Sequence, residues 1–165
     1  RWYNNDTKWV KVDGSGVTPR KGAGSMLIGE YQHNLDAKGR LIMPARFRED
    51  LGTRCVVSRS FDGNCLFVYP SAEWKKLTDS ISQQPTAQIL QFQRYFIATA
   101  SEQELDAQGR LLIPAPLRQF ANLTRDVVVL GVSTRLEIWD KQRWDELQES
   151  MNPSEMMDIL SRLGF

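Results

Sequence analysis

The sequence predicts a mainly β chain with short helices, an α+β domain in which two tandem copies of one unit pack together with pseudo-two-fold symmetry. Three observations carry this reading. LDAKGRLIMPARFR (Leu35 to Arg48) returns 70 residues later as LDAQGRLLIPAPLR (Leu105 to Arg118), with nine of fourteen positions identical. The likeness continues beyond that segment: Leu66-Phe67-Val68-Tyr69 matches Leu136-Glu137-Ile138-Trp139, Trp74 matches Trp144 and Leu77 matches Leu147, while Thr53 to Val57 matches Thr124 to Val128 after a one-residue slip. Leu41-Ile42-Met43 and Leu111-Leu112-Ile113 are short apolar runs suited to buried strands. Two copies at so long a period do not make a solenoid, so duplication within one domain is the expected architecture.

Each half reads as strand, tight turn, strand, short helix, strand, strand, helix. The first strand is expected over Met26 to Leu35 and its counterpart over Phe96 to Leu105. Asp36-Ala37-Lys38-Gly39 and Asp106-Ala107-Gln108-Gly109 are turn signals. Aspartate can accept nearby backbone N–H groups, and glycine supplies the positive φ of a three-residue hairpin with a bulge. Arg40 and Arg110 then open the returning strands, which Pro44 and Pro114 close. Short helices follow over Ala45 to Leu51, stopped by Gly52, and over Ala115 to Ala121, where Pro116 falls in the tolerant first turn.

Strands are expected over Cys55 to Ser58 and Leu66 to Tyr69, around Asp62-Gly63-Asn64, and over Val127 to Leu130 and Leu136 to Trp139. Ser71 and Asp140 are the expected N-caps of helices that bury Trp74 with Leu77 and Trp144 with Leu147. Pro85 breaks the chain before a linking helix from Thr86 to Tyr95, with Ile89, Phe92 and Phe96 on one face. Asn152-Pro153-Ser154-Glu155 has the form of a capping box, starting a last helix striped by Met156, Ile159 and Leu160. The expected organisation is an extension over 1–25, a first repeat over 26–77, a helical linker over 78–95, a second repeat over 96–147 and a C-terminal helix over 148–165.

Residues 1–25 begin with Arg1, are rich in Gly and Ser, and lie outside the repeat; a leader or disordered extension is expected there, with Met26 as the natural start. They hold five Lys/Arg and two Asp/Glu, so residues 26–165 carry 16 basic and 18 acidic groups. Bulk charge is therefore no argument for nucleic acid, but distribution is. Lys38, Arg40, Arg46, Arg48, Arg54 and Arg59 face only Glu49 and Asp50 over residues 38–59, whereas Glu137 to Asp158 holds seven acids against Lys141 and Arg143. A basic patch on a mildly acidic body is the footprint of a DNA binder; a solvated charged face is the plain alternative.

Enzyme chemistry finds no footing. His33 is the only histidine, and no P-loop, GxGxxG, HExxH or paired-cysteine motif occurs, so neither a metal nor a cofactor is expected. Cys55 and Cys65 lack metal spacing and read as reduced thiols. No apolar run approaches the roughly 20 residues that span a bilayer. With no signal peptide visible, a cytoplasmic location is expected. Arg40 and Arg110 carry two compatible readings: ion pairs with Asp36 and Asp106 inside the turns, and guanidinium forks aimed at phosphate or guanine.

The repeated Asp-Ala-x-Gly-Arg, followed by an apolar strand, Pro and Arg, resembles the MraZ family from Met26 to Phe165. That resemblance implies an AbrB-like double swapped-hairpin β-barrel. It implies a bacterial, nucleoid-associated regulator, expected to be a repressor, that binds short direct repeats of double-stranded DNA upstream of its own gene in the division and cell-wall cluster. It also implies a homo-oligomeric ring of about eight to twelve subunits. The DNA-binding residues it implies are Asp36 and Arg40, then Asp106 and Arg110, with Lys38 and Gly39 in the same loop; Arg46 and Arg48 are further cations expected near the first loop, and Gly109 completes the second, so the expected DNA-binding set holds all nine. Gln108 and Pro116 stand where the first copy has Lys38 and Arg46, so the first half is expected to lead phosphate contact. The alternative is a ring-forming interaction module whose basic loop takes an acidic protein partner. No membrane or small-molecule partner is expected.

Overall fold

A computed structural model describes residues 2–5, 8–11, 26–83 and 86–165. The expectation of a leader over 1–25 falls mostly outside those residues, as does Pro85; within it, β1 (Trp2–Asn5) pairs antiparallel with β2 (Lys8–Lys11) in a separate ladder.

The first repeat runs β3 (Leu27–Asn34), β4 (Arg40–Ile42), α1 (Ala45–Leu51), β5 (Arg54–Arg59), β6 (Leu66–Pro70) and α2 (Ser71–Ser82). A linker, α3 (Ala87–Phe92), continues into one turn of π-helix over Gln93–Ile97. The second repeat runs β7 (Ser101–Glu104), β8 (Arg110–Leu112), α4 (Ala115–Phe120), β9 (Asp126–Ser133), β10 (Arg135–Asp140) and α5 (Lys141–Ser150), and α6 (Pro153–Arg162) ends the chain. The fold is α+β, with every strand pair antiparallel among the described residues.

The repeats exchange their first strands. β3 adds to β9 of the second repeat and β7 adds to β5 of the first, giving a six-stranded sheet in the order β3-β9-β10-β6-β5-β7. β4 pairs with β8 in a second ladder. The two ladders are joined at the hairpins: Asp36 N–H donates to Arg40 C=O at 3.0 Å, and Asp106 N–H donates to Arg110 C=O at 3.0 Å. Backbone hydrogen bonds thereby run from the edge strands of the large sheet into the small one. The pseudo-two-fold axis passes through two cross-strand pairs, Leu41 with Leu111 and Phe67 with Glu137, each a residue facing its own repeat counterpart.

Alternation along the strands builds two cores. Leu41, Leu111, Met43, Ile113, Val57, Val129, Val68 and Ile138 are buried between the ladders together with Phe47 and Leu117 of the short helices. On the outer face of the large sheet, Phe67, Tyr69, Val128, Leu130 and Trp139 are covered by α2, the linker and α5 through Trp74, Phe96 and Trp144.

Several expectations are corrected by this packing. Phe96 does not open a strand: it sits in the π-helical turn, fully buried, and the strand begins at Ser101. Four aromatic rings, those of Phe61, Tyr69, Trp74 and Phe92, hold Phe96 more strongly than its local β preference could, a tertiary override of propensity. The slip between repeats is two residues, because Cys55 pairs with Pro70 and Val127 with Asp140. A one-residue shift would turn every side chain of one strand to the opposite face. Two residues preserve the inward set, so Cys55 and Val57 stand where Val127 and Val129 stand.

Ser71 is the first helical residue rather than a cap: its hydroxyl donates to Arg54 C=O at 3.0 Å. Asp140 does cap α5, accepting from Gln142 N–H at 3.2 Å. Cys55 and Cys65 are buried free thiols, and burial pushes the Cys55 pKa up to about 12. Among the described residues, no helix is long and apolar enough to cross a membrane.

Gly131 lies where β9 meets β3. A Cβ there would stand 2.5 Å from Ile28 N and 2.6 Å from the Leu27 carbonyl carbon, both backbone atoms. Gly131→Ala is therefore expected to destabilise the fold by about 1–3 kcal/mol through overpacking. A urea titration should show a lower midpoint at an unchanged slope.

Candidate nucleic-acid interface

Each repeat supplies one hairpin loop, and the two loops are built alike. Ala37 and Lys38 form the turn, Gly39 takes φ 77°, and Gly39 N–H donates to Asp36 C=O at 2.9 Å. Gly109 repeats this with φ 74° and a bond to Asp106 C=O at 2.8 Å. The Asp36 carboxylate organises its loop. Oδ1 accepts the N–H groups of Lys38 and Arg40, both at 2.9 Å, and Oδ2 accepts Arg40 Nε at 2.7 Å. Asp106 makes the corresponding bonds to Gln108 and Arg110 at 2.9, 2.9 and 2.7 Å.

These bonds, that to the Arg40 N–H foremost, hold the Asp36 carboxyl below the ordinary carboxylate range; the Arg110 N–H leads the same effect on Asp106. A depressed pKa contributes order above the unfolded value of about 3.9 and loses it as pH falls through the lowered native value. Amide resonances of Lys38, Arg40, Gln108 and Arg110 should therefore hold constant from about pH 8 to pH 5 and move only below about pH 4. Midpoints at or above the ordinary value would contradict the loop geometry.

The loops sit at opposite ends of the β4–β8 ladder, where Arg40 faces Leu112 and Ile42 faces Arg110. Leu41 and Leu111 point inward and are fully buried, so the alternation turns Arg40, Ile42, Arg110 and Leu112 outward. Ile42 is 49% exposed and Leu112 is 43% exposed. The sequence reading placed both in buried strands. The period-two alternation around Leu41 and Leu111 was the signal that would have turned them to solvent. The solvent face is thus a two-stranded ribbon with Arg40 and Arg110 on one diagonal and Ile42 and Leu112 on the other.

Of the other predicted site residues, Lys38 is exposed at the tip of the first loop and Arg46 is exposed on α1. Arg48 is not beside the first loop. Its guanidinium reaches the second, where a Cβ on Gly109 would lie 2.5 Å from Arg48 Cζ, and its Nε donates to Met43 C=O at 2.7 Å. The first loop instead has two arginines of the second repeat beside it. A Cβ on Gly39 would lie 2.4 Å from Arg118 Cζ, and a surface cleft lined by Asp36, Ala37, Arg118 and Arg125 runs alongside. The sequence reading placed Arg48 with the first loop, and strand exchange carries it to the second. His33, half-buried, has its pKa lowered by burial and by the charge of Arg48.

The family model described as "MraZ protein, putative antitoxin-like" matches residues 26–92 and again 96–163. Relatives named "Transcriptional regulator MraZ" are similar to this chain. That of Heliobacterium modesticaldum is 50% identical over 131 residues, covering 78% of this chain and 91% of the relative. That of Desulforamulus reducens is 52% identical over 122 residues, covering 73% and 85%. That of Natranaerobius thermophilus is 48% identical over 131 residues, covering 78% and 91%.

Proposed function

The chain belongs to the MraZ family, a family of transcriptional regulators and not of enzymes, and from that premise we propose that it represses a bacterial division and cell-wall gene cluster, its own gene included, by gripping short direct repeats of DNA. The observation that supports the grip is the outward face of the β4–β8 ribbon, with Arg40 and Arg110 at its corners and Lys38 at one tip. The major groove admits a two-stranded β-ribbon, and arginine reads guanine O6 and N7 with both prongs of its fork. Asp36 and Asp106 orient those forks through Nε while offsetting part of their charge. In this reading the contact set is Asp36, Lys38, Arg40, Arg46, Asp106 and Arg110, with the buried Gly39 and Gly109 shaping the loops and Arg48 acting from beneath the second loop.

One protomer contacts few phosphates. About three would give a log K against log salt slope near −2.7, which is weak for a regulator. Assembly into a ring repairs this, because linked loops on repeated sites raise avidity by roughly 10²–10⁴. Support for assembly comes from α6, whose Met156, Met157, Ile159 and Leu160 are exposed, as are Leu163 and Phe165 beyond it. Ile159 and Leu160 stand 70 residues after Ile89 and Leu90 of the linker. The linker seats Phe92 on its own outer sheet face, whereas every residue of α6 is exposed. An uncovered apolar helix meeting a different surface of the next copy gives a head-to-tail contact, which forms a ring when the rotation between copies closes. The location that follows is cytoplasmic and nucleoid-associated.

The test is a gel-shift series comparing DNA that carries three direct repeats, one helical turn apart, with DNA carrying one. Tight, salt-sensitive binding to the first and weak binding to the second is the expected result. Equal and weak binding to both would leave an acidic protein as the better partner for the loops.

A further inference from the structure

We infer that each DNA-facing loop is positioned by an arginine of the other repeat, Arg118 beneath the first loop and Arg48 beneath the second. The inference rests on the DNA reading for its consequence but on packing for its substance. Gly39 is buried at the base of an otherwise exposed turn, and so is Gly109. The other repeat fixes each glycine twice. Ile113 N–H donates to Gly39 C=O at 2.9 Å, and Met43 N–H donates to Gly109 C=O at 2.9 Å. The Cα face of each glycine then meets the opposite guanidinium, at a separation so short that a Cβ would fall 2.4 or 2.5 Å from Cζ. A planar guanidinium can lie flat on peptide backbone; the compact ammonium of lysine cannot cover the same area.

The sequence rule that emerges is specific. Glycine in Asp-Ala-x-Gly-Arg serves positive φ, and it also clears the space that the other copy's Pro-Ala-x-x-Arg arginine fills. The arrangement is not equal on both sides. Arg48 is tied to Met43 C=O of its own repeat, while Arg118 Nε is buried with no hydrogen-bond partner. The arginine with the weaker tether therefore lies under the more basic loop, and displacing it should disturb the first loop more than removing Arg48 disturbs the second. This also gives the second repeat a part in DNA contact that its less basic loop does not supply: it holds Lys38 and Arg40 in place.

The test uses the full chain, amide spectra and DNA titration on the same variants. Arg118→Ala is expected to move the amides of Lys38, Gly39 and Arg40, to leave those of Gln108 to Arg110 in place, and to weaken DNA binding about tenfold. Arg48→Ala should give the mirror-image pattern. Arg118→Lys separates positioning from direct phosphate contact. A positioning role predicts loss of affinity and moved loop amides although the charge is kept, and a contact role predicts near-normal binding. Amide changes confined to each arginine's own loop, or none in either loop, would overturn the inference. If the crossed changes appear while neither these variants nor Arg40→Ala alters DNA affinity, the packing claim stands and the DNA reading falls.

Discussion

Arg40→Ala is expected to abolish operator binding while leaving the fold intact. The residue is partly exposed at the edge of β4, and its hydrogen-bonded partner within the protein is the solvated Asp36 carboxylate of the same turn. Removing it opens no cavity and strands no deeply buried charge, so the melting temperature should change by no more than about 2 °C. The cost falls on recognition. A lost two-pronged arginine contact is worth about 1–3 kcal/mol at one site. In an assembly that engages three repeats, the loss recurs at each loop, so affinity should drop by about 10³-fold or more. Circular dichroism and light scattering would show the protein folded and assembled; a titration of three-repeat DNA would show the loss. Unchanged affinity would remove the β4–β8 face as the recognition surface. Arg110→Ala should follow the same direction with a smaller effect, since Gln108 replaces Lys38 beside it.

Phe96→Ala is expected to have the opposite profile: a large loss of stability with the recognition surface unharmed. Phe96 is fully buried, with ring centroids of Trp74 and Phe61 at 5.1 Å and of Phe92 at 5.3 Å. Truncating so enclosed an aromatic ring costs about 3–5 kcal/mol. For a chain of this size that corresponds to a melting temperature lower by about 10 °C. The void opens on the outer face of the six-stranded sheet, beyond the core from Leu41 and Leu111. Below its new melting temperature the variant should bind repeat DNA as the parent does. A change below about 1 kcal/mol would mean the linker does not dock as described.

The sequence revealed what depends on local chemistry. The Asp-Ala-x-Gly turn, the short helix from Ala45 to Leu51 and the Asp140 cap follow from residue types that act within four positions of themselves. Where distant segments decide, local reading failed. Phe96 scores as a strand former and is held in a π-helical turn by rings from α2 and the loop at Phe61. The register between repeats is fixed by which face of β5 and β9 lies inward, so side-chain identity at the Thr-Arg match misled by one residue. The arginines beside each loop follow from strand exchange, which no spacing along one repeat encodes. The turns of both loops were found from sequence; of the arginines beneath them, Arg48 was named but placed with the first loop, and Arg118 was not named.

The same exchange has a cost during synthesis. β3 must wait for β9, and β4 for β8, before either gains its partner. At a translation rate of about 5–20 residues per second, the roughly 100 residues between β3 and β9 take about 5–20 s to emerge. Through that interval the first repeat presents an unpaired strand edge and half of a core, conditions under which chains exchange segments with one another. On a polysome the nearest complement is a second nascent copy of the same repeat. Exchange between nascent chains is therefore expected to compete with closure within one chain.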